Sequence, residues 1–319
     1  MVDGINPSIP QGPKRSSVRH APDTPEAYTG PMLVWINGTI SPPNEARISV
    51  FDRGFMYGDS VYEAIRFFDG NGVGLEQHIE RLRRSLAYTG ITGFEPNECK
   101  TICRVLMDEL NTEDAMIYLQ VTRGVQIPRR HCPAAELSPT VIAIGSPAGS
   151  LQTMTEPMRI SVTVEPDLRR VHCDVKATNL LENVLATMAA DRMGADEPIL
   201  QLDGVLTEGS SSNIFVVEGE TLRTPHLTEP RPILPGINRE LALDVARDLG
   251  LEVREESVAV EELQNAEEAF ITSSSRVLAA IIAVDGTPIR SEAIGAVTLR
   301  IHEELIRRIR SGSSLTSRT

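Results

Sequence analysis

Lysine is scarce in this chain of 319 residues, because only Lys14, Lys100 and Lys176 occur among its 31 lysine and arginine residues. All the others are arginine, whose guanidinium is effectively never deprotonated in a protein. A desolvated lysine, by contrast, can lose its proton and act as an amine nucleophile. The lysine retained between Val175 and Ala177 is therefore a candidate for chemistry, with drift in composition as the alternative at this point.

Long apolar runs are also lacking, and cysteines are few. No apolar stretch reaches the roughly 18 residues that a membrane-spanning helix needs, and the first residues lack the apolar segment of a signal peptide. Four cysteines are too few for a disulfide scaffold and lack the spacing of a metal site, so we expect free thiols, a cytoplasmic protein and no metal. A net charge of −13 argues against broad nucleic-acid binding, which leaves small-molecule chemistry.

Hydrophobic periodicity and turn signals predict an α+β protein with mixed, largely antiparallel sheets and flanking helices. Apolar alternation around Asn37-Gly38 predicts a hairpin, and the apolar spacing before Gly90 and in residues 180–193 predicts helices. Shifts in composition predict a mobile N-terminal tail, a small α/β domain, a larger domain that binds the cofactor, and a C-terminal tail, at residues 1–30, 31–148, 149–311 and 312–319.

Lys176 lies where a strand pattern gives way, through a short polar stretch, to a helix pattern. A lysine at such an edge can be partly buried and lose its proton easily, as a Schiff-base lysine must. If its carbonyl partner is pyridoxal phosphate, the protein also needs a phosphate site and an acid for the ring nitrogen.

Three segments could form a phosphate site. "LPGINRE" runs from a Pro-Gly turn into a helix, which leaves the N–H groups of Ile237 and Asn238 at its positive end, although a simple N-cap by Asn238 is the alternative. "TSSS" (residues 272–275) offers hydroxyls, or is an ordinary turn. Arg81 could bind phosphate or be a solvated helix charge.

Glu208, in "TEGSSSN" between two predicted strands, is the candidate acid, with a solvated turn glutamate as the alternative. A carboxylate beside a pyridine nitrogen keeps the ring protonated and able to withdraw electrons.

These motifs, in this order, resemble the fold type IV class of pyridoxal-phosphate enzymes. The resemblance rests on "DVKATNLLENVLA", "DGVLTEGSSSNIF", "LPGINRE" and "EAFITSSS", and on "FDRGFMYGDSVYEAIRFFDG" and "HIERLRRS" in the first half. It covers residues 31 to about 310. The class includes D-amino acid aminotransferases, branched-chain aminotransferases, aminodeoxychorismate lyases and (R)-selective amine transaminases.

The resemblance implies that Lys176 forms the Schiff base and moves the substrate Cα proton, and that Glu208 binds the pyridine nitrogen. It also implies that Arg169 contacts the cofactor side of the site and that Leu234 packs on the ring. The implied phosphate ligands are Arg81, Ile237, Asn238, Ser273 and Ser274.

One segment, "VTRGVQIPRRHCP", resembles the loop of D-amino acid aminotransferases in which an arginine and a histidine trap the substrate carboxylate. Here the matching residues are Arg129 and His131, with Tyr62 as the third member, and a basic surface loop is the alternative. Because that loop reaches the neighbouring subunit's site in the family, a homodimer is implied. The resemblance therefore favours transamination between a D-amino acid and a 2-oxo acid.

Other functions stay open. The chain could be an aminodeoxychorismate lyase, an L-branched-chain aminotransferase or an (R)-amine transaminase of the same fold. It could also be a binding dimer without chemistry, although binding alone would require neither Lys176 nor Glu208.

Overall fold

A computed structural model describes residues 31–289 and 293–312 of the protein. Six strands form the first sheet: β1 (Leu33–Ile36), β2 (Thr39–Ser41), β3 (Ser60–Phe68), β4 (Asn71–Gly72), β5 (Ala115–Thr122) and β6 (Thr140–Pro147). Their order is β2-β1-β6-β5-β3-β4, and every neighbouring pair is antiparallel. Asn37 and Gly38 both have positive φ, as a tight hairpin turn requires, so the predicted hairpin is confirmed.

Three helices accompany this sheet: α1 (Arg53–Tyr57), α2 (Leu75–Thr89) and α3 (Glu98–Leu110). Helix α2 buries Ile79, Leu82 and Leu86 because these positions recur on one face, and it ends at Gly90 in the left-handed conformation, as predicted. Together with the inward-facing residues of β3 and β5, these side chains form the first core.

Nine strands form the second sheet: β7 (Met158–Pro166), β8 (Glu197–Leu202), β9 (Val205–Gly209), β10 (Asn213–Glu218), β11 (Thr221–Thr224), β12 (Glu252–Glu255), β13 (Glu268–Ser273), β14 (Val277–Val284) and β15 (Thr287–Pro288). The order is β12-β11-β10-β13-β14-β7-β8-β9, with β15 beside β14. Pairs β11–β12, β7–β8 and β7–β14 are parallel and the remainder antiparallel. The predicted α+β class is confirmed.

Four helices flank the second sheet: α4 (Leu181–Met193), α5 (Ile237–Asp248), α6 (Val260–Gln264) and α7 (Ala296–Arg310). Helices α5 and α7 pack their apolar faces together over β13. Helix α4 differs, because the apolar spacing that predicted it marks a face that lies open to solvent in this chain. Its exposed side chains are Leu181, Val184, Leu185 and Met188.

A segment from the second half of the chain contributes to the core of the first sheet. Val175 and Ala177 follow the first strand of the second sheet in sequence, yet they pack into the core of the first sheet. The predicted boundary at residues 148 and 149 therefore stays a prediction. The predicted tail 1–30 and all of 312–319 except Gly312 lie outside the described residues. Within the described ranges, no helix has the length and apolarity to cross a membrane.

Candidate active site

A cavity of about 380 Å³ lies between the two halves, bounded by β3, β5 and α2 on one side and by β9, β13 and α5 on the other. Ten of the twelve residues singled out from the sequence line it: Tyr62, Arg81, Arg169, Lys176, Glu208, Leu234, Ile237, Asn238, Ser273 and Ser274. Residues from distant parts of the sequence are thus brought around one cavity.

Lys176 lies beside β3, in a tight turn that the Ala177 N–H closes by donating to the Val175 carbonyl at 2.8 Å. The Tyr62 N–H donates to the Lys176 carbonyl at 2.9 Å, and Val61 forms a β-bridge with Ala177. Val175 and Ala177 are buried in the first core, whereas Lys176 between them lines the cavity. Its Nζ lies 4.2 Å from the centroid of the Tyr62 ring.

Glu208 does not lie between two strands, as expected, but within β9, and it is only 4% exposed. The alternative of a solvated turn glutamate is therefore wrong. Oε1 accepts from Arg169 Nη1 at 2.6 Å, and Oε2 accepts from the Leu234 N–H at 3.2 Å. Burial raises the pKa of Glu208, and the Arg169 ion pair offsets only part of that shift. A cation facing Oε2 would oppose the effect of burial and favour the charged carboxylate.

Arg169 lines the cavity beside Glu208, with which it forms an ion pair. Its guanidinium also bonds to Asp167 at 2.8 and 2.9 Å, and Asp167 in turn accepts from Arg231 at 3.0 Å and from Thr207 at 2.8 Å. Burial alone would raise the pKa of Asp167, but its hydrogen bonds and charge interaction with Arg169 outweigh burial and lower it. Sequence reasoning missed Asp167 and Arg231, which fix the position of Arg169 behind Glu208.

The start of α5 has the form expected of an anion site. Gly236 is the N-cap and no side chain caps the helix, so its first N–H groups face the cavity. The alternative of an N-cap by Asn238 is wrong, because Asn238 Nδ2 donates to the Ser273 carbonyl at 2.7 Å. A Cβ at Gly236 would approach Asn213 Oδ1 to 2.0 Å, so only glycine fits this turn.

Arg81 is buried, so the alternative of a solvated helix charge is wrong. Its Nε and Nη2 donate to Glu63 at 2.9 and 2.7 Å, and its Nη1 donates to the Pro235 carbonyl at 2.8 Å. His78 Nδ1 lies 2.7 Å from the same carboxylate. Burial opposes ionisation of Glu63, but the charge and hydrogen bonds of Arg81, with a smaller contribution from His78, hold its pKa far below the usual range.

Glu63 was not predicted, although the sequence contains a signal for it. Val61, Glu63 and Ile65 share the inward phase of β3, where an acid among apolar residues requires a buried partner. That partner is Arg81 on α2, which forms an ion pair with Glu63.

Arg129 and His131 do not line the Lys176 cavity of their own chain. Both are exposed, and both approach Tyr57: the Arg129 Cζ lies 4.6 Å from the ring centroid and the His131 ring centroid 5.5 Å from it. Tyr62, the third predicted member of the carboxylate trap, is on the cavity wall. The predicted trap is therefore not assembled within one chain.

An amine side chain, a buried carboxylate and an uncapped helix start around one cavity are the parts of an enzyme site that acts on a phosphate-bearing carbonyl compound. Among the described residues, no group of three or more His, Cys, Asp or Glu is placed to hold a metal ion.

Comparison with known proteins identifies the family. Residues 60–284 match the family model described as amino-transferase class IV. The chain is 36% identical over 286 residues to the D-alanine aminotransferase of Bacillus licheniformis, a match that covers 89% of this chain and 100% of that protein. It is 34% identical over 283 residues to the D-alanine aminotransferase of Staphylococcus haemolyticus, covering 88% and 99%.

A solved structure is also similar. The branched-chain aminotransferase from Thermoproteus uzoniensis, solved with norvaline, has a TM-score of 0.77 and 29% identity, covering 88% of this chain and 95% of that chain. The chain belongs to the class IV aminotransferases, and the resemblance to fold type IV is confirmed.

Proposed function

We propose that the protein transfers amino groups between a D-amino acid, such as D-alanine or D-glutamate, and a 2-oxo acid, with pyridoxal 5'-phosphate as cofactor. The observation that carries this proposal is the convergence of Lys176, Glu208 and the start of α5 on one cavity. Identity of 36% to a D-alanine aminotransferase over nearly the whole chain supports the D-amino acid as substrate.

The side chains around the cavity fit this cofactor. The start of α5, Arg81 and the hydroxyls of Ser273 and Ser274 would hold the phosphate, and Leu234 would pack on the ring. When bound, pyridoxal 5'-phosphate supplies a carbonyl that condenses with amines and a ring that withdraws electrons from the substrate.

The reacting atoms belong to Lys176 and Glu208. Lys176 Nζ would hold the cofactor before substrate binds, and as a free amine it would move the proton at the substrate Cα. Glu208 Oε2, which already accepts from the Leu234 N–H, would hold the ring nitrogen in its protonated form. Arg169 and Asp167 keep that carboxylate in place.

The substrate carboxylate would be bound by Tyr62, Arg129 and His131. An arginine is suited to a planar carboxylate because it can donate two parallel hydrogen bonds. Since Arg129 and His131 are exposed outside the cavity of their own chain, we infer that they complete the cavity of a second copy.

The open face of α4 supports the same homodimer. Leu181 is 67% exposed and Val184 is 52% exposed. Neighbouring exposed apolar side chains on one helix face are typical of a surface that another chain covers. We expect the holoenzyme to sediment as a dimer, and Leu185→Glu on this face to shift it towards the monomer. A wild-type protein that sediments as a monomer at assay concentration would refute the homodimer.

The four cysteines are free thiols, which fits the cytoplasm that we infer for the enzyme. Burial raises the pKa of Cys173 and of Cys103, the latter to about 12, so neither is a reactive thiolate.

A half-reaction tests the function. The purified holoenzyme is mixed separately with D-alanine, L-leucine and (R)-1-phenylethylamine, without an acceptor, and the visible absorbance of the cofactor is followed. We expect D-alanine alone to bleach it. Bleaching by L-leucine or by the amine would assign the branched-chain or amine-transaminase function instead. A coloured protein that responds to none of the three would favour the lyase.

A further inference from the structure

Backbone hydrogen bonds attach the start of the loop that carries Arg129 to the segment around Asp52. The Arg53 N–H donates to the Gly124 carbonyl at 2.9 Å, and the Gln126 N–H donates to the Phe51 carbonyl at 3.1 Å. Asp52 and Val125 form a β-bridge between these two bonds. Residues 124–126 are therefore fixed by main-chain contacts to the segment before and at the start of α1.

Further along the loop, two of its carbonyls accept hydrogen bonds from the Arg53 side chain. Arg53 Nη1 donates to the Arg130 carbonyl at 2.6 Å and Nη2 donates to the His131 carbonyl at 2.8 Å. Nη1 also donates to Gln126 Oε1 at 3.0 Å, and Gln126 Nε2 donates to the Cys132 carbonyl at 3.3 Å. The Arg53 side chain is only 5% exposed although the loop residues that it holds are exposed.

The Arg53 guanidinium is itself fixed on its other side. Its Nε donates to Asp59 Oδ2 at 2.7 Å, and Asp59 also accepts from Arg123 at 2.8 and 3.0 Å. Burial would raise the pKa of Asp59, but the hydrogen bonds from Arg123 and Arg53 outweigh burial and lower it. The acid thus stays charged at neutral pH and holds the planar guanidinium in one orientation.

The side chains of the loop pack on the same helix. The Tyr57 ring centroid, at the end of α1, lies 4.9 Å from the Arg53 Cζ and 4.6 Å from the Arg129 Cζ. The His131 ring lies 5.5 Å from it. Helix α1 therefore supports the loop twice, through the Arg53 side chain at the backbone and through the Tyr57 ring at the side chains.

We propose that Arg53 is a positioning residue for substrate recognition. By holding the carbonyls of Arg130 and His131, it presents the side chains of Arg129 and His131 in one orientation. The inference rests on the proposed function, in which those two side chains bind the substrate carboxylate.

This arrangement predicts an effect on substrate binding and not on the chemical step. Arg53 does not line the Lys176 cavity, so its replacement leaves the reacting groups in place. The Arg130 and His131 carbonyls lie in an exposed loop, where water can replace a lost hydrogen bond. What is lost is the order of the loop, and each substrate molecule must then restore it on binding.

The test compares Arg53→Lys with Arg123→Gln in the holoenzyme. A lysine keeps a cation beside Asp59 but cannot reach both loop carbonyls, so we expect KM for D-alanine and for the 2-oxo acid to rise about ten- to a hundredfold, with kcat little changed. Arg123→Gln removes the other partner of Asp59 and leaves the loop contacts, so its KM should match the wild type. Amide hydrogen exchange in residues 126–134 should accelerate in Arg53→Lys only.

Arg129→Ala separates this inference from the proposed function. An unchanged KM in Arg129→Ala would refute the carboxylate role, and the positioning role with it. A raised KM in Arg129→Ala, together with wild-type KM and exchange in Arg53→Lys, would overturn only the positioning role. So would a fall in kcat and thermal stability of Arg53→Lys at unchanged KM, because that pattern marks a structural residue. If Arg53→Lys does not fold, Gln126→Ala decides in the same way, with a smaller rise in KM expected.

Discussion

Arg81 and Arg129 are both assigned to anions, yet the first is buried beside the Glu63 carboxylate and the second is exposed above the Tyr57 ring. Arg81 makes two hydrogen bonds to Glu63 and a third to the Pro235 carbonyl. Within the part of the chain that the structure describes, Arg129 has no carboxylate partner.

The difference follows from solvation. A guanidinium taken out of water needs a permanent counterion and full hydrogen bonding, so Arg81 is fixed in position before any ligand arrives. An exposed guanidinium keeps its water and can exchange it for a ligand carboxylate at small cost. The first arrangement suits a cofactor that stays bound, and the second suits substrates that come and go.

The largest expected effect concerns the reacting group of the cavity. Lys176→Ala should lower transamination at least about 10⁴-fold, because both the attachment of the cofactor and the movement of the Cα proton are lost. The visible colour of the bound cofactor should disappear as well. Lys100→Ala is the matched control, since Lys100 is exposed, lies outside the cavity and pairs with Glu76 at 2.6 Å. Turnover that survives in Lys176→Ala would remove the central assignment.

Next in size is the stability of the buried arginine site. Glu63→Gln leaves the Arg81 charge without its counterion, so we expect the free energy of unfolding to fall by about 3–5 kcal/mol. Urea denaturation measures it, with Glu80→Gln as the control. The exposed Glu80–Arg83 pair should contribute no more than about 1 kcal/mol. Equal losses in the two variants would contradict the comparison between buried and exposed arginines.

The effect of Glu63→Gln on the free energy of unfolding should depend on pH, because the pKa of Glu63 differs between the folded and unfolded states. The pKa of Glu63 is lowered in the folded protein from its ordinary value of 4.5, so the folded state favours the charged carboxylate. Its stabilisation is therefore complete above pH 4.5 and is lost progressively as the pH falls below that value. The difference in unfolding free energy between wild type and Glu63→Gln should thus be constant near neutral pH and shrink in acid. A difference that grows in acid would show that the sign is wrong.

The smallest effect on the fold is expected at the exposed loop. Arg129→Ala should leave thermal stability unchanged but raise KM for D-alanine about ten- to a hundredfold, and it should not change the inhibition constant of an amine without a carboxylate. Arg130→Ala is the matched control, because it keeps the carbonyl that Arg53 binds and removes only the neighbouring side chain. Equal changes in KM for the amino acid and in the inhibition constant of the amine would argue against a carboxylate trap.

Much of the cavity could be predicted because its residues stand next to local signals. Lys176 and Ile237 lie at the edges of predicted strands and helices, and those edges are recognisable from periodicity. Glu63 and Asp167 were missed because their roles depend on partners from other elements, Arg81 on α2 and Arg231 before α5. Sequence spacing cannot show such pairs, except where an acid interrupts the inward phase of a strand, as Glu63 does.

The exposed face of α4 could not be predicted either. Its apolar spacing indicates a helix with one apolar side, but the same pattern serves a core and an interface between chains. Only the three-dimensional arrangement shows that Leu181 and Val184 are exposed within the described part of the chain.

The backbone hydrogen bond from Tyr62 to Lys176 also links the position of the amine to the first sheet. Lys176 is attached to β3 of the first sheet, whereas Glu208 is part of β9 in the second. A rotation of one sheet against the other therefore moves the amine away from the carboxylate, without bending either strand. The distance between these two groups therefore changes with the angle between the two sheets. A cofactor that contacts both groups would fix this angle.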